Sequence, residues 1–95
     1  MFYVYVLKSP VHGQIYVGYT SDLRRRFEAH QKYEGHSGWV LVYYEAYRNQ
    51  TDAQTRERML KNYGSSLAGL KKRVSKSMDL GEFGMGGGSS VFKSP

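Results

Sequence analysis

Cysteine is absent from the 95-residue chain, which excludes a disulfide framework and any zinc–thiolate centre. Long apolar runs are absent too: no stretch approaches the ~20 residues needed to span a bilayer. Met1 to Ser9 lacks the positive-then-apolar order of a secretory signal, so a cytoplasmic location and no membrane partner are expected. Acidic residues are scarce. Eight Asp and Glu stand against fourteen Lys and Arg, a net charge of +6, with an isoelectric point of about 9.7.

Tyrosine is plentiful instead, with nine in a composition that is 40% hydrophobic. That suffices for one core, at a length near the lower limit for a domain without covalent staples. A small basic domain rich in aromatic rings suits a polyanion with stackable or grooved surfaces, and nucleic acid fits that description.

Phe2 to Lys8 alternates like a strand, with Phe2, Val4 and Val6 on one face and Tyr3, Tyr5 and Leu7 on the other. Ser9 to Gly13 is a turn, and Gln14 to Tyr19 is the returning strand of a hairpin. Cross-strand partners share a face, so Val4 and Val6 belong with Ile15 and Val17, while Tyr3 and Tyr5 stand beside Tyr16 and Gly18. One side of the hairpin is a core face. The other is lined with phenols.

Thr20, Ser21 and Asp22 cap a helix whose apolar pair is Leu23 and Phe27. Of its three consecutive arginines only Arg26 borders the buried stripe, one turn from His30. A polar loop, Lys32 to Ser37, precedes the apolar and aromatic run Trp39 to Tyr47, which suits the central or most buried strand. Thr51 and Gln54 have the spacing of a capping box for a second helix, Asp52 to Asn62, ended by a left-handed Gly64. Ala53 and Leu60 face inward with Glu57 among them, and Arg56 and Arg58 face solvent. A third helix runs from Ser65 or Ser66 through Leu67, Leu70 and Val74, with Lys71 and Lys72 outward.

The fold class expected is α+β, a small three-stranded antiparallel sheet with helices packed on it, over residues 1–76. Residues 77–95 are expected to be a disordered tail, since Gly81 to Pro95 hold five glycines and three serines and too little apolar surface to offset the entropy of ordering. Tyr3, Tyr43, Tyr44 and Tyr47 are read as packing residues. Tyr5, Tyr16, Arg26, His30 and Glu57 form the candidate constellation. Arg26 and Glu57 could equally pair with each other as a structural ion pair.

These residues resemble the signatures of the GIY-YIG nuclease superfamily, which includes the incision domain of the bacterial excision-repair nuclease. Tyr3-Val4-Tyr5 stands in place of Gly-Ile-Tyr, and Tyr16-Val17-Gly18 keeps the second motif. Arg26 and His30 match the Arg-x-x-x-His element, and Ala53, Glu57, Leu60 and Lys61 match the setting of the family glutamate. No residue is assigned to the family's late asparagine, Asn62 being too close to Glu57.

The resemblance implies a divalent-metal-dependent endonuclease that uses Mg²⁺ or Mn²⁺ and is connected with DNA repair. Its expected partner is DNA, with branched or damaged duplex as plausible forms and RNA as the other polymer, and a monomer is favoured. Glu57 would hold the metal; no second acid nearby supports a two-metal site. Arg26 would neutralise the non-bridging oxygens. Tyr5 is the first choice of base, its acidity increased by neighbouring cations, with Tyr16 or His30 sharing the proton. Lys8, Arg24, Arg25, Lys61, Lys71 and Lys72 would add phosphate contacts without base preference. The alternative is a non-catalytic nucleic-acid-binding domain of the same fold.

Overall fold

The computed structural model describes residues 1–32 and 38–80. Most of the expected polar loop, residues 33–37, and the tail from Gly81 lie outside the described residues. The order is β1 (Phe2–Lys8), β2 (Ile15–Thr20), α1 (Leu23–Gln31), β3 (Val40–Tyr47), α2 (Gln50–Asn62), α3 (Gly64–Arg73) and α4 (Ser75–Met78). The fold is α+β, as expected. The antiparallel sheet has the order β2-β1-β3.

That order corrects the placement of β3, which is an edge strand while β1 is central. β1 has four consecutive buried residues, Val4, Tyr5, Val6 and Leu7, because both its faces and both its edges are covered. The continuous apolar run in β3 has a different origin. Its register against β1 shifts between Val6 and Leu7, which face Tyr43 and Leu41, so Val42 is an extra residue. A bulge of this kind breaks the period-two alternation. Leu41 consequently joins the Tyr5 side of the sheet and Tyr43 the Val4 side.

The hairpin register pairs Tyr5 with Gly18 and Val6 with Val17, so the two faces separate as expected. Val4, Val6 and Val17 pack against Ala53, Leu60, Leu70 and Met78. Each fully buried aliphatic side chain there contributes on the order of 1.5–3 kcal/mol. The phenol face is also covered: Tyr5, Leu7 and Trp39 pack with Leu23 and Phe27 of α1. The sheet is thus sandwiched, with α1 on one face and the later helices on the other.

Local chemistry sets the turns. The Ser9 hydroxyl accepts from the backbone N–H of Val11 and His12, and Gly13 supplies the positive φ of +71° that closes the hairpin. Asp22 caps α1 by accepting from the Arg25 N–H at 3.1 Å. Asn49, not a Thr51 capping box, starts α2, its side chain accepting from Thr51 and Asp52. Gly64 is not left-handed either. Tyr63 ends α2 in an extended conformation, and α3 begins at Gly64.

The packed body also runs past the expected boundary at residue 76. Met78 and Leu80 are buried, and the Lys8 ammonium donates to the Met78 carbonyl at 2.5 Å. Helix ends leave carbonyls without intrahelical partners, and Lys8 satisfies one. Lys8 therefore ties the C-terminal segment to β1.

Candidate functional site

Tyr16 occupies edge strand β2, where the two helical layers can both reach it. From α1, the His30 ring lies 4.7 Å from the Tyr16 ring, tilted by 42°. From β1, the Tyr5 ring lies 6.1 Å away. From α2, on the opposite layer, the Lys61 ammonium lies 6.0 Å from the Tyr16 centroid. Lys61 in turn pairs with Glu57 at 2.9 Å. An edge strand is the one place in a sandwiched sheet where side chains from both layers meet.

A cleft of about 440 Å³ opens beside Tyr16 and His30, lined also by Ser21, Arg25 and Arg26. The helical period assigned only Arg26 to this side. Arg25 joins it because the cleft lies at the first turn of α1, where long side chains reach back toward the β2–α1 connection. Arg24 lies on the other flank, in a groove with Tyr3, Leu41 and Tyr44. Glu57 does not line the cleft among the described residues, but its charge and that of Arg26 both act on the Tyr5 phenol.

His30 is 4% exposed and contacts Trp39 edge-on at 5.9 Å as well as Tyr16. Tyr5 is 1% exposed. Its phenol is pushed well above the ordinary range, first by burial and then by Tyr16, while Arg26 acts in the opposite sense and is outweighed. The expectation that neighbouring cations would make Tyr5 acidic is therefore reversed in the protein alone. Removal of the phenol from water costs more than the guanidinium returns.

The alternative structural pairing of Arg26 with Glu57 is not formed. Among the described residues the ion pairs are Lys61–Glu57 and Arg56–Glu45. Lys71 and Lys72 flank a shallow depression with Ala68 and Gly69 on α3, which shares no residue with the Tyr16 cleft.

Sequence reasoning missed the second ion pair. Arg56, expected in solvent, donates from Nε and Nη2 to both Glu45 oxygens at 3.0–3.2 Å. Tyr43 donates to Glu45 at 2.6 Å, and Tyr47 donates to its other oxygen. These two tyrosines are thus carboxylate ligands rather than simple packing residues. The available signal was an acid at Glu45 with tyrosines two residues before and after it, which the pleat puts on one face.

A family profile described as the GIY-YIG catalytic domain matches residues 1–72. A UPF0213 protein of Clostridium perfringens is 40% identical over 67 residues, covering 64% of this chain and 71% of its own. No solved structure matches at a significant level.

Proposed function

Because the chain belongs to the GIY-YIG catalytic domain family, a nuclease family, we propose that it is a divalent-metal-dependent endonuclease. It hydrolyses phosphodiester bonds in DNA with low sequence specificity, and acts as a cytoplasmic monomer on branched or damaged duplex. The observation that carries this reading is the convergence on Tyr16 of His30, Tyr5 and the Lys61–Glu57 pair beside a cleft lined by Arg25 and Arg26.

Glu57 fits a hydrated hard cation. Among the described residues no three His, Asp or Glu gather into a cage, and Mg²⁺ commonly takes one carboxylate, several waters and a substrate phosphate. Mn²⁺ suits the same oxygen donors. When bound, the cation supplies charge neutralisation at the phosphate and at the departing oxygen. Arg26 presents a permanently charged fork to the non-bridging oxygens, and Arg25 adds a second contact in the cleft. Tyr16, half-buried and lining the cleft, is better placed than Tyr5 to orient the attacking water and take its proton. His30 packs against Tyr16 and holds its ring, and Tyr5 acts from behind through the Tyr16 hydroxyl.

The test is a cleavage assay with Mg²⁺, Mn²⁺ or EDTA on linear, nicked, flap and branched DNA and on RNA. Metal-dependent cutting that disappears in Arg26→Ala and Glu57→Ala but persists in Arg58→Ala supports the proposal. Arg58, exposed on α2 with Thr55 as its hydrogen-bond partner, serves as the control. Binding without cutting on every substrate replaces the proposal with a non-catalytic nucleic-acid-binding domain.

A further inference from the structure

Glu57 has a counter-ion already. Its Oε2 lies 2.9 Å from the Lys61 ammonium one helical turn on, and the Glu57 side chain is 21% exposed against 46% for Lys61. The carboxylate is the less solvated partner, so it depends more on a neighbouring positive charge. That same ammonium stands 6.0 Å from the Tyr16 ring. Lys61 thus lies between the metal-holding carboxylate and the residue around which the cleft is built.

We propose that Lys61 is a displaceable counter-ion, which neutralises Glu57 in the free protein and yields to the divalent ion once a phosphate backbone gives its ammonium another partner. The inference rests on the reading of Glu57 as the metal-holding residue. A divalent ion approaching the free protein must compete with an ammonium tethered on the same helix. A phosphate entering beside Tyr16 draws the ammonium off on its flexible stem. Glu57 is then a lone carboxylate next to a phosphate, an arrangement that one hydrated divalent ion satisfies on both sides. Metal and nucleic acid therefore bind with positive coupling, and linkage requires each to raise the affinity of the other by the same factor.

The experiment titrates Mn²⁺ into the isotope-labelled full chain and follows paramagnetic broadening of the α2 amide signals, which reads metal binding without turnover. Lys61→Gln is expected to tighten Mn²⁺ binding about two- to fivefold without nucleic acid, the range an exposed ammonium–carboxylate pair is worth. Lys61→Arg, which keeps the charge, should stay near wild type. A short DNA duplex, with free Mn²⁺ held constant, should tighten Mn²⁺ binding in wild type and do so less in Lys61→Gln. Unchanged or weaker Mn²⁺ binding in Lys61→Gln overturns the inference. Glu57→Gln separates the two levels. If it abolishes the broadening while Lys61→Gln has no effect, only the counter-ion role fails; if it broadens like wild type, the metal assignment fails as well.

Discussion

The Tyr5 phenol lies directly over Gly18: a Cβ at position 18 would stand 2.3 Å from both Cζ and Oη of Tyr5. The two residues are cross-strand partners in the hairpin, so the glycine of the second motif is the space that the tyrosine of the first motif fills. One residue without a side chain is what lets a phenol lie flat against the neighbouring strand.

Gly18→Ala should displace the Tyr5 ring, which has no alternative space in a packed sheet. Overpacking of this kind costs about 1–3 kcal/mol, measurable as a lower urea midpoint. Pairing it with Tyr5→Leu should recover part of that loss. Equal stability of Gly18→Ala and wild type would contradict the contact.

Tyr16→Phe keeps the ring that packs beside His30 and Tyr5 and removes only the hydroxyl. The variant should fold normally by circular dichroism, and cleavage should fall about 100-fold or more if the hydroxyl handles the proton. Wild-type turnover in Tyr16→Phe would move that role to another group.

The Glu45 cluster predicts a loss of stability at both ends of the pH scale. Burial acts to raise the Glu45 pKa, but hydrogen bonds from Arg56, Tyr43 and Tyr47 hold it below the usual 4.5. A depressed carboxylate contributes fully above its unfolded value and loses that contribution as pH falls through the folded one. Tyr47 is pushed up from 10.0 to about 12, first by burial and then by its bond to Glu45. Its contribution is complete below pH 10.0 and fades as pH rises toward about 12. Glu45→Gln should therefore flatten the acid limb of a stability–pH curve measured by urea melts. At pH 7 it should cost about 1–3 kcal/mol, because Arg56 loses its partner.

Truncation after residue 76 should destabilise the domain. It removes the buried Met78 and Leu80 and the carbonyl that accepts from Lys8, a loss of about 3 kcal/mol or more by comparison with large-to-small core changes. Differential scanning calorimetry of the shortened and full chains checks this outcome.

Lys71→Ala with Lys72→Ala should change DNA affinity little, since the depression they flank is separate from the Tyr16 cleft. Arg25→Ala should weaken binding on every sequence and lower the salt dependence by about one phosphate contact. Fluorescence anisotropy across a salt series distinguishes the two.

By itself, the sequence determined which residues of the hairpin share a face and where the first three helices begin and end to within a residue or two. Pleat alternation and the helical period are local properties, so Tyr5 beside Gly18 and Leu23 with Phe27 were legible from spacing alone. The motif residues were singled out by their resemblance to the family's signatures. Only the tertiary structure decided that β1 is central, that Val42 bulges, that Arg56 holds Glu45, and that Glu57 faces Lys61 rather than Arg26. Each of these depends on which distant groups compete for one partner or one edge. Spacing along a chain carries no record of that competition, because its outcome is set by distances that exist only once the layers have closed around the sheet.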